Sequence, residues 1–163
     1  MSPTRAILVT AALLALSACG FQLQGTTTHA PELAVLHLDV PDPNSDLAIQ
    51  LRRSLVAAGL TLSRSEAEAT ATLHIVHENF GRRVKSVSAQ NRPTEFEVFY
   101  QVEYLVATAE GTLVPRERIA RERVFPYSER DILGAQQEEE LLRDALARDI
   151  AGVITRRLSD LGT

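Results

Sequence analysis

The most regular pattern in the chain runs from Thr94 to Thr108. Phe96, Val98, Tyr100, Val102, Tyr104 and Val106 occupy every second position, with Glu95, Glu97, Phe99, Gln101, Glu103 and Leu105 between them. Period-two alternation is the mark of a strand with one buried face. A one-residue slip would turn all six apolar side chains to water, so the pairing register is strongly specified. Glu110-Gly111 then reads as a tight turn, and Leu113 to Phe125 as the return strand of an antiparallel hairpin, ended by Pro126. Upstream, Thr70 to Ser88 reads as a long strand with Ala71, Leu73 and Ile75 on one face, broken by a bulge or bend at Gly81. Leu33 to Val40 alternates as a further strand, with Ala34, Leu36, Leu38 and Val40 together.

Two stretches change period. Leu47, Leu51, Leu55 and Ala58 recur at helical spacing over 46–58, after Asn44 or Ser45 as cap and before Gly59, which suits a left-handed stop. Leu142, Leu146, Ile150, Val153, Ile154 and Leu158 form the stripe of a long helix over 135–158. Glutamates 138–140 open it and Arg156-Arg157 close it, which complements the helix dipole, and Glu139 and Arg143 stand at i,i+4. Leu60-Thr61-Leu62 is a short edge segment, and 63–69 a connector. The order strand, helix, strands, helix predicts an α+β fold, two helices packed on one face of a four-stranded mixed or antiparallel sheet.

The first 18 residues do not belong to that domain. Arg5 precedes an apolar run from Ala6 to Leu16, the layout of a secretory signal. At about ten residues the run is too short to cross a bilayer, which needs about 20. Leu16-Ser17-Ala18-Cys19 resembles the lipobox of bacterial lipoproteins. That resemblance implies a diacylglycerol on the Cys19 thiol, cleavage before it and acylation of the new amino terminus. Cys19 is the only cysteine in the chain, so no disulfide competes for it. One acyl chain anchors marginally, whereas three anchor durably. Gly20 rather than aspartate follows, which for lipoproteins of enteric type implies sorting to the outer membrane. The expected organisation is a cleaved signal over 1–18, a lipidated terminus and tether over 19–32, and one domain over 33–163.

Charge narrows the function classes. Residues 1–18 hold one basic and no acidic residue, so the 145 that follow carry 16 Lys+Arg against 21 Asp+Glu, about −5. That balance disfavours nucleic acid. No nucleophile, phosphate-loop or dinucleotide motif appears, so no enzyme is expected. His74 and His77, three apart on a strand, should face opposite ways and share no metal. The expected cofactor set is empty apart from the lipid on Cys19. Against the acidic background, Arg82, Arg83, Lys85 and Arg92 fall in a stretch from Asn79 to Pro93 without an acidic residue. Guanidinium groups pair with phosphate or carboxylate in bidentate fashion, which makes this the candidate anion-binding patch. At an outer membrane the abundant phosphorylated anion is lipopolysaccharide. The return-strand arginines, 116, 118, 121 and 123, are interleaved with Glu117 and Glu122 and should neutralise these or the facing glutamates.

In this order the pieces resemble the LPS-assembly lipoproteins of the LptE family. They are Cys19-Gly20-Phe21-Gln22-Leu23, Asp42-Pro43-Asn44 before a helix ending Leu55-Val56-Ala57-Ala58-Gly59, the strand from Glu95 to Val106, and a last helix closing in Arg156-Arg157-Leu158. The resemblance implies two helices on a four-stranded sheet, and an LptD-type outer-membrane β-barrel as partner, its lumen filled by the lipoprotein. It also implies help in barrel assembly and lipopolysaccharide binding. The family's contacts include a base before the main strand, where Arg92 stands, and one near the start of the last helix, where this chain has Gln136 with Arg130 the nearest base. The alternative is a periplasm-facing lipoprotein that handles lipids for an ABC transport system without filling a barrel.

Overall fold

The computed structural model describes residues 30–162. After a 3-10 turn at Pro31–Leu33, β1 (Val35–Asp39) leads into α1 (Asp46–Ala57) and β2 (Thr61–Ser63). Three long strands follow, β3 (Ala71–Val87), β4 (Pro93–Thr108) and β5 (Gly111–Pro126), and then α2 (Ile132–Ser159). The sheet order is β2-β1-β3-β4-β5, with β1 parallel to both neighbours and the rest antiparallel. The fold is α+β as predicted, but with five strands rather than four. The fifth is Thr61–Ser63, too short to show a period, which pairs with Val35 to His37 and closes one side of β1.

Local signals account for the helices. The Ser45 hydroxyl accepts from Ala48 N at 3.2 Å and caps α1, whose end passes into Gly59 at φ 91°. Helix α2 starts at Ile132, three residues earlier than the stripe suggests, because Asp131 caps it by accepting from Gly134 N at 3.0 Å. A side chain on residue 134 would collide with the Asp131 carboxylate, so the glycine that weakens the helical pattern is what admits the cap. Both helices lie on one face of the sheet. Leu47, Leu51 and Leu55 of α1 and Leu146, Ile150, Ile154 and Leu158 of α2 are fully buried with Tyr100, Val102, Tyr104 and Val106 of β4. Three polar contacts tie the helices together, Gln50 Nε2 to Asp144 Oδ1 at 2.6 Å, Thr155 Oγ1 to Ser54 Oγ at 2.8 Å, and Arg143 Nε to Asp46 Oδ2 at 3.0 Å.

The break in β3 lies at Val76, not at Gly81. Ile75 is opposite Tyr104 and His77 opposite Glu103, so Val76 is the extra residue of a bulge. Before it Ala71, Leu73 and Ile75 face the helices; after it Glu78, Phe80, Arg82 and Val84 do, opposite Val102, Tyr100, Val98 and Phe96. The expectation that His74 and His77 face opposite ways is overturned for the same reason. Both lie on the open face, opposite Leu105 and Glu103. Gly81 continues the ladder opposite Phe99, whose ring covers it: a Cβ there would meet Phe99 Cζ at 2.7 Å.

Strand β1 pairs with β3 only from Ala71 to His74. Beyond that point β3, β4 and β5 run on as a three-stranded ribbon with the first half of α2 above it. At about 3.3 Å per residue, 16-residue strands give a body about 50 Å long. The chain enters at the end holding Val35, Thr70 and the β4–β5 turn, where Gly111 takes φ 143°. The β3–β4 tip is at the other end. Among the described residues no helix is long and apolar enough to cross a membrane.

Candidate functional site

The basic stretch occupies the outer part of this ribbon, and the fold divides it. Arg82 is on the helix side of β3 and Arg83 and Lys85 on the open side. Arg92 stands in the tip, where Ser88 N donates to Arg92 O at 2.8 Å and Asn91 takes a left-handed φ of 58°. The four bases do not form one surface. Each is met by a carboxylate from outside the basic stretch.

On the helix side, Arg82 NH1 donates to Glu139 Oε2 at 2.6 Å, and its guanidinium stacks over Phe96 at 4.9 Å from the ring centre. One turn further along α2, Arg143 Nε lies 3.0 Å from Asp46 Oδ2 and its guanidinium 5.0 Å above Phe80. The expected Glu139–Arg143 pair is therefore not made. Cross-element partners take both side chains, and the observed i,i+4 pair is Asp144 with Arg148. Phe80, Arg82, Gln136, Glu139, Glu140 and Arg143 line a surface groove of about 560 Å³. A second hollow of about 410 Å³ shares Phe80 and Arg143 and reaches Asp42, Ser45, Asp46, Glu78 and Tyr100. The groove offers two guanidiniums, each stacked on a ring and already carboxylate-bound, so an incoming anion must exchange with Glu139 or Asp46.

On the open side the organising residue is Glu97, one of the positions that alternate with the apolar face of β4. It is only 1% exposed. Lys85 Nζ donates to its Oε2 at 2.6 Å, and Arg83 forms an ion pair with its other oxygen while reaching Glu122 Oε2 at 3.2 Å. Arg83 also stacks on Phe99 at 5.5 Å. Because Arg83 and Lys85 are themselves about half exposed (56% and 51%), Glu97 is shielded by two long side chains lying over the sheet and not by depth in the core. The Lys85 hydrogen bond, with Arg83 acting the same way, holds the Glu97 carboxyl below its usual value, and the Glu97 hydrogen bond raises Lys85. At the tip, Arg92 NH1 donates to Glu129 Oε2 at 2.6 Å, across the connection between β5 and α2.

Two tyrosines complete the polar interior. Tyr100 donates to Glu78, which also accepts from Ser45, and Tyr104 donates to Glu117 Oε2 at 2.8 Å. Burial first, and these carboxylates second, raise both phenols far above their ordinary range. Of the return-strand arginines, Arg123 meets Asp149 at 3.2 Å, Arg116 approaches Glu103 only to 3.9 Å, and Arg118 donates to Gln101 Oε1 at 2.5 Å. His74 Nδ1 is 2.9 Å from Asp39 Oδ2. No group of three or more His, Cys, Asp or Glu able to hold a metal occurs among the described residues. Cys19 and the tether to residue 29 lie outside the described residues.

Sequence reasoning found the bases but missed their partners. Arg83 opposite Glu97 is readable only once the bulges at Val76 and around Lys85 are counted into the register. Nothing local marks Glu97 out, since Glu103 stands between Val102 and Tyr104 in the same way.

A family model described as "LptE: Lipopolysaccharide-assembly" matches residues 33–158. The chain is 25% identical over 153 residues to the LPS-assembly lipoprotein LptE of Photorhabdus laumondii, covering 93% of this chain and 83% of that one. It is 26% identical over 156 residues to the protein of the same name from Yersinia enterocolitica, covering 93% and 73%. In three dimensions it is similar to the solution structure of a lipoprotein B from Nitrosomonas europaea, with a TM-score of 0.72, 25% identity, and 86% and 90% of the two chains covered.

Proposed function

Since this chain belongs to the LptE family of lipopolysaccharide-assembly proteins, we propose that it is an outer-membrane lipoprotein that fills an LptD-type β-barrel. In this reading it assists the barrel's assembly and touches lipopolysaccharide in transit. The family match across 33–158 carries the proposal. The shape is consistent with it, since a filler for a water-lined barrel must be stiff and polar outside. The fold has that character in part, since its core side chains lie under the two helices and the open face of the ribbon carries the Arg83–Glu97–Lys85 ion pairs.

Lipid on Cys19 holds the chain on the periplasmic side of the membrane, and no other cofactor or chemical step is assigned. The eleven residues from 19 to 29 reach about 40 Å at most. They join the fold at the end opposite the β3–β4 tip, so Arg92 and Arg82 point away from the anchor. Arg82, Arg83, Lys85 and Arg92 remain the proposed lipopolysaccharide contacts. Their roles separate, because Arg83 and Lys85 also shield Glu97, while Arg82 pairs with the partly buried Glu139 and Arg92 with the exposed Glu129.

Isolation of the chain from outer membranes in mild detergent tests the first part. A stoichiometric complex with a large β-barrel is expected. Recovery with the subunits of an ABC transporter and no barrel would replace this reading with the lipid-handling alternative. For the second part, Arg82→Gln with Arg92→Gln should weaken capture of lipopolysaccharide, with a thermal melt confirming that the variant is folded. Full capture by the folded variant would remove these two contacts. Cys19→Ala should move the protein from the membrane to the periplasmic fraction, and full retention would refute the anchor.

A further inference from the structure

We propose that β5 is a self-complementary edge by which two copies of this chain pair, antiparallel about a two-fold axis, into one continuous sheet. The proposal stands or falls independently of the barrel reading. Strand β5 is outermost in the sheet order, and no described strand pairs with its outer side. Ten residues, 116–125, run without proline. Such an edge is a template for another strand, and charge is the usual means of blunting it.

Here the charges have an unusual order. Arg116-Glu117-Arg118-Ile119-Ala120-Arg121-Glu122-Arg123 has the same charge pattern in both directions. Superposing the string on its own reversal would set Arg118 against Arg121 and Glu117 against Glu122, all repulsive. That register is not open to a symmetric pair. A two-fold axis normal to the sheet keeps every residue on its own face, so opposed residues must differ by an even number. The permitted register centred on Ala120 sets Arg118 against Glu122 and Glu117 against Arg123, each twice. It also lies within the regular part of β5, from Glu117 onward, clear of the irregularity around Pro115 and Arg116.

The open-face pair is free to form. Glu122 is 62% exposed and only its Oε2 is engaged, by Arg83. Arg118 is bonded to the neutral Gln101, with no carboxylate partner among the described residues. Ala120, the residue on the axis, has nothing bulky to displace. On the helix side Glu117 and Arg123 already hold Arg157 and Asp149, so they contribute less. A single strand-to-strand contact is small, which implies a concentration-dependent association rather than an obligate dimer.

Sedimentation equilibrium tests this on the chain from residue 19 onward carrying Cys19→Ala, which keeps every described residue. A monomer–dimer equilibrium is expected. Arg118→Glu and Glu122→Arg should each raise its dissociation constant tenfold or more, since each sets like charges opposite one another. Mixing the two variants, or combining both changes in one chain, should restore pairing because the opposite charges meet again. Thermal melts of each variant separate loss of pairing from loss of folding. Monomer at all concentrations to about 1 mM, dimers indifferent to both reversals, or a mixture of folded variants that stays monomeric would each overturn the proposal.

Discussion

Replacing Val102 with aspartate measures how strictly the fold separates its two faces. Val102 is fully buried, opposite Glu78 on β3 and Ile119 on β5, and neither neighbour is a base. An ionised carboxyl there has no cation to pair with and one carboxylate beside it, so its pKa rises by three units or more from about 3.9. At pH 7 that costs about 4 kcal/mol, and the lost burial of the valine adds roughly 2. Against a total stability of about 5 to 15 kcal/mol for a domain of this size, most of the margin disappears. A folded pKa raised above the unfolded one destabilises at pH values above the unfolded pKa and costs nothing below it. The ionisation part should therefore vanish by about pH 4, leaving roughly 2 kcal/mol.

Urea denaturation followed by far-ultraviolet circular dichroism, at pH 7 and pH 4, reads both quantities. The midpoint should fall by about 2 M or more at pH 7 and by much less at pH 4. Leu105→Asp, on the open face of the same strand, should cost about 1 kcal/mol at either pH. A Val102→Asp midpoint within about 0.5 M of the parent at pH 7, or a deficit that does not shrink in acid, would refute the argument.

Three further outcomes follow from the polar contacts. Tyr104→Phe removes a buried hydroxyl that donates to Glu117 and should cost about 1 to 2 kcal/mol, or roughly 2–4 °C in Tm per kcal/mol; an unchanged Tm would show that the bond adds nothing net. Glu97→Gln should lower Tm by a constant amount at neutral pH. Because its cations hold the folded carboxyl below its ordinary value of 4.5, the difference should narrow as the pH falls below that value, and a gap that does not narrow in acid would contradict the cluster. Asp131→Ala removes the α2 cap and should cost about 1 kcal/mol, with helical signal lost from the first turn; no change would show that the cap is dispensable.

Much of this protein is determined by its sequence alone. The alternation through Val98, Val102 and Val106 and the stripe through Leu146, Ile150 and Ile154 act over neighbouring residues, so the strands, the helices and their buried faces were legible, as was the family. Tertiary structure decided whatever depends on counting between strands. A bulge at Val76 turned His77 to the same face as His74 and put Arg82 rather than Arg83 on the helix side of the sheet. Pairing with β1 made a strand of Thr61–Ser63, and Glu139 exchanged its helical neighbour Arg143 for Arg82, 57 residues distant in the chain. Hydrophobic burial is a property of each element's own period, and the chain displays it openly. The partner of a charge is set by register, where one inserted residue reverses every side chain that follows.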